Sequence, residues 1–378
     1  MNFSLSEEQE ELKKSTNDFS NKELVPRAKE VDIKGEFPKD NFKKMAEKGL
    51  LGLIFPKEYG GSGLDMVSYC VALEEIAKAC GSTATINLSH VLSTLTIHLF
   101  GNDKQKENYL KPMIKGEKIG AFAITERGGG SDVLSIQTGA KVKDNGYVIN
   151  GVKSYITNAK QADIYIILVS TDKTKGSKGL SAIIIEKDTE GISFGKTEDL
   201  IGMRGISLGE IIIKECSVPK ENLLGSEGDG LKITLSSIDR GRIALSALGV
   251  GIAQACLEAS IDYSKKRSQF GKPLSEYQSI QFMISDMSTE IQAARLLTYY
   301  AGSLVETKPR FTTEASMAKL YSSETAMRAA LNAVQIHGGY GLSRECPVER
   351  YMRDAKGLAI MEGTSEIQRL LISRNKFK

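Results

Sequence analysis

The chain contains no tryptophan, three histidines and five cysteines among its 378 residues. Each scarcity excludes a class. His90, His98 and His337 lie far apart, so neither a zinc site nor any other metal centre is expected. Cys70, Cys80, Cys216, Cys256 and Cys346 form no Cys-x-x-Cys pair. An odd, dispersed set reads as reduced, buried thiols in a cytoplasmic protein. The charge balance is close, 50 Lys and Arg against 47 Asp and Glu for a net +3, and gives no reason to expect nucleic acid as a partner. No uninterrupted apolar run approaches a membrane span. Met1-Asn2-Phe3-Ser4 leads into Glu7, Glu8, Glu10 and Glu11, where a secretory signal needs basic and then apolar residues. The expected setting is therefore the cytoplasm, without membrane attachment.

What is present is an ordinary globular composition, 41% hydrophobic and 26% charged, in a chain long enough for a large core. Three stretches differ in period. Residues 1–118 read as helical. Ser4 and Glu7 suggest a capping box, and residues 65–79 put Met66, Tyr69, Cys70, Leu73, Ile76 and Ala77 on one face, with Glu74 and Glu75 on the other. Near residue 119 the pattern changes. Residues 163–170, 180–186 and 209–214 are short apolar runs rich in β-branched residues, and Asp144-Asn145-Gly146 predicts a hairpin turn. From about residue 226 the helical period returns, with further helices at roughly 275–305, 313–337 and 347–374. The expected fold class is α+β: an N-terminal all-α domain (1–118), a middle β-barrel or sandwich (119–222) and a C-terminal four-helix bundle (223–378). Junctions between unlike layers favour cofactor sites.

Five segments carry candidate chemistry. Residues 121–135 (AFAITERGGGSDVLS) place three glycines and the Thr125 and Ser131 hydroxyls where helix gives way to strand. Free backbone N–H groups there suit a phosphate, although a capped turn explains the glycines equally well. Residues 153–158 (KSYITN) read as a strand with one aromatic ring. In residues 265–278 (KKRSQFGKPLSEYQ), Arg267 and Phe270 have the chemistry to clamp a phosphate and an adenine, although a basic helix end is usually a solvated face. Residues 335–354 (QIHGGYGLSRECPVERYMRD) look like helix punctuation. In residues 357–370 (GLAIMEGTSEIQRL), Glu362 follows four apolar residues. A poorly solvated carboxylate has a raised pKa and is a better base near neutrality. The helix beginning at Thr364 favours negative groups.

Together, in this order, these segments resemble the acyl-CoA dehydrogenase family across essentially the whole chain, most closely its short-chain, butyryl-CoA branch. The resemblance implies FAD as cofactor, an acyl-CoA substrate, an electron-transfer flavoprotein as electron acceptor, and a homotetramer built as a dimer of dimers. It implies that Glu362 is the catalytic base, and that Phe122, Ile124, Thr125, Gly130, Ser131, Tyr155, Ile156, Thr157, Thr364 and Glu366 contact FAD. Arg267, Gln269, Phe270 and Gln278, with Gln335, Ile336, Gly338 and Gly339, are implied to hold the FAD of a neighbouring subunit. Ser131, Asp239, Arg242 and Gly363 are implied to contact substrate. Some relatives carry their base near residue 241, and Gly241 has no side chain for it. His337 is then a neighbour of FAD and not an acid or base. Two departures stand out. The family usually has proline where Arg127 stands, so a looser loop and an added charge are expected, and Tyr155 replaces a tryptophan or phenylalanine. An acyl-CoA oxidase, an enoyl-CoA reductase and a non-enzymatic CoA-binding scaffold are the alternatives.

Overall fold

The computed structural model describes residues 4–377. Six helices come first: α1 Glu7–Phe19, α2 Val25–Lys34, α3 Lys39–Glu47, α4 Met66–Ala79, α5 Gly81–Phe100 and α6 Asp103–Ile114. The capping box lies two residues beyond the expected one. Ser6 caps α1, accepting from the Gln9 N–H, and Gln9 returns the bond. The expected solvent face of α4 is also buried, because the helices at Gly230–Lys266 and Gln278–Ser303 pack over it. Glu74 and Glu75 are 2% and 3% exposed. Glu74 is held by Arg295 at 2.7 Å and by the Tyr299 hydroxyl at 2.9 Å, and Glu75 by Lys78 at 2.8 Å. Buried charges persist only when paired in this way.

Eight strands follow as one mixed sheet, in the order β6-β7-β3-β2-β4-β5-β8 with β1 beside β4. They are β1 Gly120–Ala123, β2 Gly139–Lys143, β3 Gly146–Ile156, β4 Ile164–Ser170, β5 Leu180–Glu186, β6 Ile192–Thr197, β7 Gly209–Pro219 and β8 Leu223–Leu224. The hairpin at Asp144–Asn145 forms as expected, with Lys143 opposite Gly146. Strand β4 is buried throughout and almost wholly apolar because both its faces are covered. Ile164 and Ile166 join the helical core, while Tyr165, Ile167 and Val169 join a second core on the other side.

The rest is helical: α7 Gly230–Lys266, a short hairpin of β9 Ser268–Gln269 and β10 Lys272–Pro273, then α8 Gln278–Ser303, α9 Thr312–His337, α10 Pro347–Leu358 and α11 Ser365–Lys376. Helix α7 is long and apolar enough to cross a bilayer, but 83% of its most apolar window is buried in the protein. It is the central helix of the core, packed on α4, α5, α8 and α9. The fourth expected helix is two helices. The interruption at residues 359–364 contains Glu362.

Candidate active site

The chain turns at Glu362 and Gly363, with φ of +54° and +90°. Glutamate avoids that region unless its surroundings hold it there. Three helices do so from below. Arg242 on α7 donates to the Glu362 carbonyl at 3.2 Å. Gln368 on α11 donates to the Glu362 and Gly363 carbonyls at 3.1 and 2.9 Å. Lys319 on α9 donates to the Gly363 carbonyl at 2.7 Å. Thr364 then caps α11 by accepting from the Ile367 N–H. Glu362 as a whole residue is half-buried, and its Oε2 is buried with no hydrogen-bond partner. Burial pushes this carboxyl up to about 7, against the opposing pull of Arg242 and Lys319.

Gly241 makes room for that carboxylate. A Cβ there would lie 2.6 Å from Glu362 Oε2. Gly241 also lines a small cavity of about 10 Å³ whose walls are mostly apolar, among them Met66, Tyr69, Leu92, Leu95 and Ala244, with Arg240 beside them. Gly241 thus stands between this cavity and the unpaired Glu362 Oε2. Asp239 bonds Arg242 at 2.7 Å and accepts from the Thr312 hydroxyl at 2.6 Å. Asp239 and Thr312 line an open groove together with Lys232, Lys308 and Arg310.

The second group of expected residues gathers on the sheet. The Ser154 N–H donates to the Thr125 carbonyl at 2.8 Å, which joins the 121–135 turn to β3. Tyr155 sits where the pairing of β3 with β7 shifts register, at φ +57° and 55% exposed. A bulge re-aims a side chain in this way. Gly130 and Ser131 are exposed, Phe122, Ile124, Thr125 and Thr157 half-buried, and the Ile156 side chain lies in the sheet core. The turn is not loose without proline. Glu126 and Gly129 exchange backbone bonds at 3.1 Å. Lys153, wholly buried, donates to the Ile124 carbonyl and to Glu126, each at 2.9 Å. Burial pulls Lys153 down to about 8 against the pull of Glu126. The Arg127 charge is compensated by Glu210 at 2.7 Å.

The third group lies apart. Arg267 follows Arg242 by 25 residues along α7, an axial distance of about 37 Å and more than the diameter of a small domain. Phe270, at the tip of the β9–β10 hairpin, has φ +48° and is 96% exposed. Arg267, Gln269 and Gln278 are exposed beside it, as are Gln335, Gly338 and Gly339 at the end of α9. The Ile336 side chain is buried. His337 stacks on Tyr263 at 4.3 Å and bonds the Ala333 carbonyl. Burial lowers its pKa, which suits packing and not proton transfer.

Sequence reading missed Lys319, Gln368 and Lys153. One signal was available: Lys319 is the only charged residue on a stripe of small ones, Ala315, Ala318, Ser322 and Ala326. The candidate residues fit FAD. Added Cβ atoms at Gly338 and Gly339 would meet nothing within 4 Å, so backbone is open to close approach there, and two aromatic rings stand exposed in left-handed backbone.

A helical layer, a mixed sheet and a helical bundle, with a buried carboxylate held among the helices, give the architecture of a three-domain flavoenzyme. Residues 6–117, 121–216 and 228–377 match the N-terminal, middle and C-terminal domains of acyl-CoA dehydrogenase. The chain belongs to the acyl-CoA dehydrogenase family and is an FAD-dependent oxidoreductase. It is 47% identical to a probable acyl-CoA dehydrogenase of Bacillus subtilis, over 100% of both chains. It is 44% identical to the NADH acryloyl-CoA reductase of Anaerotignum propionicum, over 100% of this chain and 96% of that one. Butyryl-CoA dehydrogenase from Megasphaera elsdenii superimposes with a TM-score of 0.98 at 42% identity, covering 100% of both chains. A chain from a structural study of the electron transferring flavoprotein of Acidaminococcus fermentans superimposes at 0.99 with 42% identity, again over both full lengths.

Proposed function

We propose that this chain oxidises short acyl-CoA thioesters to trans-2-enoyl-CoA, with Glu362 taking the α proton. The observation that carries this reading is the buried, unpaired Oε2 of Glu362 against Gly241, which also lines a mostly apolar cavity. A carboxyl with a pKa of about 7 is matched to accepting a proton near neutrality. Tyr69, Leu92 and Leu95 crowd the space beside Gly241, which favours a short acyl chain over a long one.

FAD supplies the acceptor for the β hydride. Phe122, Ile124, Thr125, Tyr155, Ile156 and Thr157 would hold its ring, with Gly130, Ser131, Thr364 and Glu366 toward its diphosphate. The buried isoleucines would contribute backbone only. The thioester oxygen gathers negative charge as the α proton leaves, and hydrogen-bond donors there lower the barrier. Among the described residues nothing accepts from the N–H groups of Glu362, Gly363 and Thr364, and we assign the Glu362 N–H to that oxygen. Ser131, Asp239, Arg242 and Gly363 would line the CoA arm.

The distance between Arg242 and Arg267 supports an oligomer. The exposed hairpin around Phe270, with Arg267, Gln269, Gln278, Gln335, Ile336, Gly338 and Gly339, would serve the FAD of a second copy. Phe282, Tyr300 and Leu331 leave apolar surface on α8 and α9 for the further contacts of a homotetramer. Electrons would leave to an electron-transfer flavoprotein. Five free, buried cysteines accord with a reducing compartment, the cytoplasm.

A second reading runs the same site backwards as an enoyl-CoA reductase, favoured by the similarity to acryloyl-CoA reductase. Anaerobic mixing of the yellow enzyme with acyl-CoA thioesters of graded length tests the proposal. Bleaching strongest with butyryl-CoA is expected. No bleaching with any thioester would overturn it, and preferential reoxidation by crotonyl-CoA would favour the reductase. Fast peroxide formation in air would point to an oxidase.

A further inference from the structure

Lys319 is 0% exposed, deep in α9, and among the described residues it has no carboxylate within ion-pair distance. Burying an ammonium costs several kcal/mol unless its surroundings return it. The other wholly buried lysine, Lys153, has Glu126 at 2.9 Å. The one acceptor given to Lys319 is the Gly363 carbonyl at 2.7 Å. Apolar packing would serve a stripe of small residues better, so the lysine needs another reason to be there.

The peptide plane supplies one. In a trans peptide the carbonyl and the following N–H point in opposite directions. Arg242 and Gln368 draw the Glu362 carbonyl inward, so the Gly363 N–H faces away from them. Lys319 and Gln368 do the same to the next carbonyl, so the Thr364 N–H faces outward too. A left-handed glutamate would relax toward ordinary backbone without these holds.

We propose that Lys319 is a positioning residue: it pins the Gly363 carbonyl from beneath the turn, and so fixes where the Glu362 carboxylate and the unpaired N–H groups point. The proposal rests on the reading of Glu362 as the base. Charge adds to the geometry. Lys319 and Arg242 both favour the ionised form of Glu362 against burial. Arg242 is itself paired with Asp239, and Glu366 on α11 and Glu324 on α9 favour the charged form of Lys319. Burial brings Lys319 down to about 8, which leaves it charged at neutrality.

The test compares FAD-loaded Lys319→Met and Lys319→Arg. In the methionine variant kcat should fall about 10-fold or more with KM changed less than about threefold, as expected when a reacting group is misplaced. The acid limb of its pH profile should move up by about one unit, because a cation beside the carboxylate is gone. Arginine should keep that midpoint near wild type. A readout independent of turnover is the ¹³C titration of the Glu362 carboxyl, identified by its loss in Glu362→Gln, and it should move with the kinetic midpoint. Wild-type kcat and midpoint in Lys319→Met would overturn the proposal. Should that variant not fold, Gln368→Met removes the shared donor without changing charge. It should lower kcat at an unchanged midpoint, and wild-type kcat there would overturn the proposal equally. Glu362→Gln separates the two readings. If it is active, the base assignment falls; if it is inert while Lys319→Met is normal, only the positioning role falls.

Discussion

Glu362 is strained, buried and unpaired at once, and each condition disfavours the folded state. Its carboxyl stands at about 7 in the fold against an ordinary 4.5. Between those values the folded chain holds a proton that the unfolded chain has released, so stability falls as pH rises through that window. Below about pH 4.5 both states are protonated and the cost vanishes; above about pH 7 it is complete. Glu362→Gln should therefore match wild type in stability near pH 4.5 and exceed it by on the order of 2 kcal/mol at pH 8. Denaturant titration of the apoprotein at the two pH values measures this, and an equal difference at both would contradict it. Gly241 belongs to the same arrangement, since any Cβ there would contact the base.

At the scale of elements, the decisive feature is a helix that stops. Residues 347–374 carry one helical period, yet α10 ends at Leu358 and α11 starts at Ser365. Gly363 and Thr364 signal the break in the sequence. The holds that shape it do not show there, because Arg242, Lys319 and Gln368 come from three helices and are spaced by 44 residues or more on α7 and α9. The 121–135 turn is similar. Its glycines and hydroxyls are legible locally, whereas the Lys153–Glu126 pair that replaces the missing proline as a brace spans 27 residues. Glu74 misled for the same reason: its helix looks amphipathic, and Arg295 and Tyr299, 221 and 225 residues later, make its burial tolerable. Lys153→Met should leave Glu126 buried without its cation and cost about 3–5 kcal/mol. Its thermal midpoint should fall and bound FAD should drop together; loss of neither would remove the brace.

Across the whole molecule, one long helix sets the geometry. α7 carries Asp239, Gly241 and Arg242 at the turn and delivers Arg267 about 37 Å away. The order of helical, β and helical segments was readable from hydrophobic period, because each change of layer changes the spacing of apolar residues. The path of the sheet was not, since β4 and β5 are apolar on both faces and give no alternation to orient them. Phe270→Ala tests the reach of the hairpin into a second copy. It removes an exposed ring, so secondary structure and thermal midpoint of the apoprotein should hold, while FAD retained after gel filtration should fall several-fold. Full retention would return the hairpin to plain surface.

The most direct measurement of the central claim is exchange at the acyl α carbon. FAD-loaded wild type and Glu362→Gln are incubated anaerobically with butyryl-CoA in deuterium oxide, and the recovered thioester is analysed by mass spectrometry. Deuterium at the α position with wild type and none above background with Glu362→Gln is the predicted result. Equal incorporation by both proteins would show that another group handles that proton.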